Sequence, residues 1–160
     1  MASSLNYLTV QDVLWMNLQL TNQKNEFNYA RVEEATYYQY GYGGSLDLPA
    51  QAGRFLTGFR RMRPFPVGND ACALVGMLAF LRINGACLNL TDDDALDWTR
   101  KVWDNPETTS EAIREKLVDH HPEHHQGEVP AKEKVLDEIF AHYPNTIKSL
   151  LEEEAKTSLA

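Results

Sequence analysis

Between Arg63 and Ala71 the chain reads Arg-Pro-Phe-Pro-Val-Gly-Asn-Asp-Ala, and residues 71–81 are almost wholly apolar. Pro64 and Pro66 stop any helix that precedes them, so the segment is a loop feeding a new helix. Such a helix start presents unpaired backbone N–H groups and partial positive charge, the chemistry that holds carboxylates and phosphates. Gly68 lets the backbone pass close to a bound group. Asn69 or Asp70 is expected to cap the helix, with the Asp70 carboxylate filling the anion site itself. Arg63 has two readings: it pairs with Asp70 or another carboxylate and holds the loop, or it faces a groove and binds an anion. It cannot serve as a general base near neutral pH, because a guanidinium pKa lies above about 12.

The same residues resemble the active-site signature of the Fic/Doc family, H-P-F-x-[DE]-G-N-[GK]-R. Pro64, Phe65, Gly68 and Asn69 match. Arg63 stands at the catalytic His position, Val67 at the acidic metal ligand, Asp70 at the Gly/Lys position and Ala71 at the phosphate-binding Arg. The resemblance covers residues 7–103. Tyr7-Leu8-Thr9 and the following helix look like the start of the Doc branch, and Leu81-Arg82-Ile83-Asn84-Gly85 looks like the end of that branch's central helix. It implies a helical bundle built around one buried helix, with a flap near residues 41–48.

The family's usual reaction moves AMP from ATP to a protein hydroxyl with magnesium; the Doc branch moves a phosphate. Here Val67 offers magnesium no oxygen, Ala71 removes a bidentate phosphate clamp, and Asp70 brings a negative charge to the phosphate's place. Losing the His base alone typically costs about two to four orders of magnitude in rate. The resemblance therefore implies a non-catalytic binding or regulatory module of toxin–antitoxin or phage-related origin, with no cofactor. A protein partner would meet a degenerate groove formed by Arg63, Phe65, Gly68, Asn69 and Asp70. Tyr40, Gly41, Tyr42, Gly43 and Gly44 would form the flap. The alternative is an enzyme with altered nucleotide or phosphate-transfer chemistry, in which Arg63 binds phosphate and Asp70 acts as base or metal ligand. Ser149 and Glu153 also fit the family's inhibitory motif, [ST]-x-x-x-E-[GN], whereas Glu154 does not. Glu152, Glu153 and Glu154 are expected to be the exposed face of the last helix.

The elements that position these residues are helices from end to end. Thr9 and Asp12 spell a capping-box variant ahead of Val10, Val13, Leu14 and Leu18 on one face. A second helix is expected over residues 29–39, with Val32, Ala35 and Tyr38 inward. The glycines of 41–44 then break it, leaving at most a small hairpin. Pro49 opens a third helix striped by Leu48, Ala52, Phe55, Leu56 and Phe59. The fourth, apolar all round, should be enclosed on several sides and end at Asn84-Gly85. Thr91 and the Asp92, Asp93, Asp94 triplet start a fifth, the acids complementing the helix dipole without any metal. Asn105-Pro106 ends it. Helices over 110–118 and 130–143 and one from Pro144 complete an all-α chain with no sheet. Tyr37, Tyr38, Tyr40 and Tyr42 either line the groove or pack against the glycine turn.

The chain has 160 residues, 43% of them hydrophobic and 24% charged, the proportions of one ordinary globular domain. Residues 7–108 are expected as the Fic/Doc-like core and 109–160 as a helical extension. A net charge of -8 disfavours nucleic acid and anionic membranes as partners. The first residues lack the order of a signal peptide, no apolar run is long enough to span a bilayer, and Cys72 and Cys87 imply free thiols, so a cytoplasmic location is expected. Charge and composition leave the oligomeric state open. His120, His121, His124 and His125, with Glu123, are candidate zinc or nickel ligands. Pro122 spoils their helical spacing, and a solvated link that binds metal incidentally is the expected role.

Overall fold

The computed structural model describes residues 5–41, 46–119 and 131–159. Among them lie eight helices: α1 (Val10–Thr21), α2 (Tyr29–Tyr37), α3 (Leu48–Met62), α4 (Asn69–Ile83), α5 (Asp92–Val102), α6 (Pro106–Lys116), α7 (Lys132–His142) and α8 (Pro144–Leu159). Two short strands, β1 (Ala86–Leu88) and β2 (Leu117–Asp119), pair antiparallel with Cys87 opposite Val118. The fold is an all-α bundle, as its periodicity predicts, and none of the helices is long and apolar enough to cross a membrane.

Helix α4 is the axle. All but two of its residues are buried, and α1, α3, α7 and α8 pack around it. Leu74, Met77, Phe80 and Leu81 are each essentially inaccessible, and burying each stabilises the fold by about 2 kcal/mol. Gly76 sets the approach of α3: a Cβ there would lie 2.6 Å from Cε2 of the fully buried Phe55. The Phe55 ring packs in turn on Phe59, centroid to centroid 5.3 Å.

Helix ends follow their local chemistry. The Thr9–Asp12 capping box forms in both directions, at 3.1 and 2.8 Å. Helix α6 begins earlier than residue 110. Asn105 caps it by accepting the N–H groups of Glu107 and Thr108, and Pro106 sits at its first position, so the pair that ends α5 also starts α6. Residues 117–119 leave the helix for β2, a pairing that three-residue strands do not announce by alternation. The Asp triplet does more than offset a dipole. Asp92 reaches α8, accepting the backbone N–H groups of Asn145 (3.1 Å) and Thr146 (2.9 Å). Burial alone would raise the Asp92 carboxyl; the bonds from Thr146 and Asn145 outweigh it and hold the group below its ordinary value. The last helix is thus pinned at its start to α5.

Candidate functional site

The loop between α3 and α4 is locked from three sides. Inside it, Asn69 bridges the Phe65 peptide: its Oδ1 accepts the Phe65 N–H at 2.9 Å, and its Nδ2 donates to the Phe65 carbonyl at 2.7 Å. From α1, buried Asn17 donates to the Val67 carbonyl at 3.0 Å. Gly68 is the N-cap of α4 with φ +82°, and a Cβ there would meet Thr21 Cγ2 at 2.7 Å and Asn17 Nδ2 at 3.1 Å. Only glycine suits both the backbone angle and the space.

The third lock comes from α8 and reaches the anion site. Glu154 is 3% exposed, and its carboxylate lies on the first turn of α4. The Asn69 N–H donates to Oε2 at 3.0 Å, the Asp70 N–H donates to Oε1 at 2.8 Å, and Asn69 Nδ2 adds a longer bond at 3.3 Å. The expected capping by Asn69 or Asp70 is therefore corrected: no side chain of α4's own start caps it, and the acid arrives from 84 residues downstream. The expectation that Glu152, Glu153 and Glu154 share an exposed face is corrected as well. Glu152 and Glu153 are exposed, and Glu153 pairs with Arg100, but Glu154 falls on the apolar stripe of Ile147 and Leu150. The helical spacing of 147, 150 and 154 was the signal that could have found it.

Asp70 turns away from the backbone donors. Its Oδ1 lies 3.4 Å from Arg60 Nε and 3.6 Å from Arg63 Nη1, and its side chain keeps 15% of its surface. Burial, then the charge of Glu154, raises its pKa, while Arg60 and Arg63 pull the other way. A raised native pKa means that the stability Asp70 contributes is present below the ordinary carboxyl value and is lost as pH rises through the native one. Arg63 also pairs with Glu154, Nη2 to Oε1 at 3.6 Å. Of its two readings, the structure has the one in which it pairs with carboxylates across the loop. It does so as the C-cap of α3 at φ +46°, a left-handed conformation unusual for a side chain with a Cβ.

Of the five candidate groove residues, Phe65, Gly68 and Asn69 are buried, and Arg63 and Asp70 keep accessible surface. What stays open beside them is a hollow of about 240 Å³ lined by Thr57, Arg60, Arg61, Arg63, Trp103 and Asp104. The Arg60 guanidinium lies 3.8 Å over the Trp103 ring and donates to Asp104 at 2.8 Å. The tyrosines do not join this hollow. Tyr38 packs its ring where a Cβ on Gly58 would be, and Tyr37 and Tyr40 line a separate groove with Tyr7. In the candidate flap, Tyr40 and Gly41 are described; Tyr42, Gly43 and Gly44 lie outside the described residues, as do His120, His121, His124 and His125. Among the described residues no group of three or more His, Cys, Asp or Glu is arranged to hold a metal ion.

Cys72, one turn into α4, reports on how tightly this end is closed. Burial pushes its thiol up to about 12, the Asn17 hydrogen bond opposes that, and the Glu154 charge adds to it. Cys87 is half-buried in β1. A thiol reagent added to the native chain is expected to titrate Cys87 and leave Cys72 untouched until denaturant is added. Thiolate depletion alone slows Cys72 by roughly a thousandfold. Equal rates at both thiols would mean that the α4 start opens readily.

Comparison of the chain with protein-family models, with curated proteins and with solved structures returns no match. The class that fold and site define is therefore physical: an all-α bundle whose buried central helix begins at an anion cradle filled by the chain's own Glu154.

Proposed function

We propose that this chain is a Fic/Doc-like protein without transfer chemistry, a binding or regulatory module of toxin–antitoxin or phage-related origin. The observation that carries the reading is Glu154: the donors that would hold a phosphate already hold a buried carboxylate. The neighbouring chemistry agrees. Arg63 is committed to Asp70 and Glu154, Val67 supplies no metal oxygen, and Ala71 supplies no second clamp. Glu154 also lies one residue beyond the acid that the family's inhibitory motif would place there. A protein partner would meet the open hollow around Arg60, Arg61 and Trp103 rather than the closed cradle behind it.

Thermal unfolding with ATP, GTP and AMP, each with and without magnesium, tests this. The melting temperature is expected to stay constant with every nucleotide. A magnesium-dependent rise that disappears in Arg63→Ala would overturn the proposal and favour the altered enzyme, in which Asp70 would have to leave its two arginines to act.

A further inference from the structure

A groove of about 310 Å³ runs between the start of α1 and the face of α2 that carries Tyr29, Glu33 and Tyr37. Tyr29, Glu33 and Tyr37 are successive i, i+4 positions on that face, and Tyr7 and Tyr40 close the groove. Tyr29 is 56% exposed, Tyr37 52% and Tyr40 40%, an unusual concentration of large aromatic surface left to solvent.

These rings do not hang loose. Phe80, fully buried on α4, lies under Tyr7 at 5.8 Å between centroids; Tyr7 carries Tyr40 at 4.3 Å; Tyr40 meets Tyr37 edge-on at 5.5 Å and 68°. The ladder runs from the core to the surface, so the outermost ring is fixed by the innermost. Tyr7 is held further by Gln51, whose Nε2 donates to its hydroxyl at 3.3 Å. The interplanar tilts of 39° and 68° make ridges with clefts between them rather than a flat plate. Among the described residues Glu33 is the one formal charge in the lining, with no Lys or Arg beside it there.

We propose that this groove docks a proline-rich segment in the polyproline II conformation, with a flanking Arg or Lys set against Glu33. Pyrrolidine rings are rigid and flat-sided, and they seat between aromatic ridges at little conformational cost, since the polyproline helix is formed before binding. The Tyr37 hydroxyl already bonds Glu33, and the hydroxyls of Tyr29 and Tyr40 at the rim supply donors to the peptide carbonyls, which that helix leaves unbonded. Glu33 and the chain's net charge of -8 select a basic flank. Single-stranded nucleic acid also stacks on aromatic rings, but it needs cations to follow its backbone, and this lining carries the opposite sign. The surface is separate from the Arg60–Arg63 hollow, so the inference stands independently of how the α4 cradle is read.

The test is a titration of the isotope-labelled full chain, followed by amide chemical shifts, with a synthetic peptide of one arginine ahead of an unbroken proline run. Shifts are expected at Tyr7, Tyr29, Glu33, Tyr37 and Tyr40, with a dissociation constant of tens to hundreds of micromolar. Tyr37→Ala, at an exposed ring, should weaken binding about tenfold, the usual worth of one well-placed aromatic contact, while Tyr37→Phe holds within about threefold. Glu33→Gln should weaken it about threefold and abolish the preference over a peptide with glutamate in place of the arginine. No shifts with the peptide at millimolar concentration would overturn the proposal. So would equal binding of an arginine–glycine peptide of the same length, or shifts confined to residues outside α2 and its neighbours.

Discussion

Glu154→Ala is expected to destabilise the protein by about 2–4 kcal/mol, the cost of leaving buried donors without an acceptor. Two backbone N–H groups of α4 lose their partner at once, and Asn69 Nδ2 loses a third contact. The alanine offers nothing in return, and the site is too enclosed for the helix start to turn toward bulk water. Glu154→Gln should cost roughly half as much, since its amide oxygen still accepts but without charge assistance. The effect should be local in origin: amide exchange at Asn69 and Asp70 ought to accelerate before that of the α4 interior. Because Glu154 raises the Asp70 pKa, the alanine variant should titrate Asp70 at lower pH, which carboxyl chemical shifts would follow directly. A loss below about 1 kcal/mol with an unmoved Asp70 would show that the carboxylate is a bystander at the cradle.

Gly68→Ala is expected to cost about 2–5 kcal/mol by a different route, adding about 1–2 for a Cβ in the left-handed region to about 1–3 for overpacking. The added carbon would lie 2.7 Å from Thr21 Cγ2 and 3.1 Å from Asn17 Nδ2, so α1 would have to retreat from the loop it holds. Urea denaturation gives the loss. Pairing the change with Thr21→Ser, which deletes the methyl but keeps the hydroxyl that bonds the Asn17 carbonyl at 2.8 Å, should recover about 1 kcal/mol and no more, because the backbone angle is untouched. Full recovery would assign the whole penalty to the methyl and none to φ.

The parts of this molecule decided by near neighbours could be read from its sequence. The Thr9–Asp12 box, the Phe55–Phe59 stripe and the enclosed run through Leu74 and Phe80 all follow from residues three or four apart. The loop's rigidity is legible in part: Gly68 and Asn69 stand out in the sequence as groove residues, whereas the Asn69 side chain bridges the Phe65 peptide and also reaches Glu154. What escaped was decided across distance. Three consecutive glutamates look like solvent-facing charge; the spacing from Ile147 and Leu150 sets Glu154 apart from Glu152 and Glu153, but what it meets there is fixed by the partner surface on α4. Asn17, four residues after Val13 on a buried face, hid in the same way. The β1–β2 pair is too short for any periodicity, and it joins segments on either side of α5 and α6.

The distance between Asp70 and its acceptor carries a consequence for how this protein is born. A ribosome that has just made the first turn of α4 must add 84 more residues before Glu154 exists, on the order of ten seconds at ordinary elongation rates. Until then the first-turn amides of α4 lack the carboxylate that covers them in the finished fold. Only when the closing segment emerges does the polypeptide supply its own counter-charge, so the piece that finishes the central helix is among the last to be made.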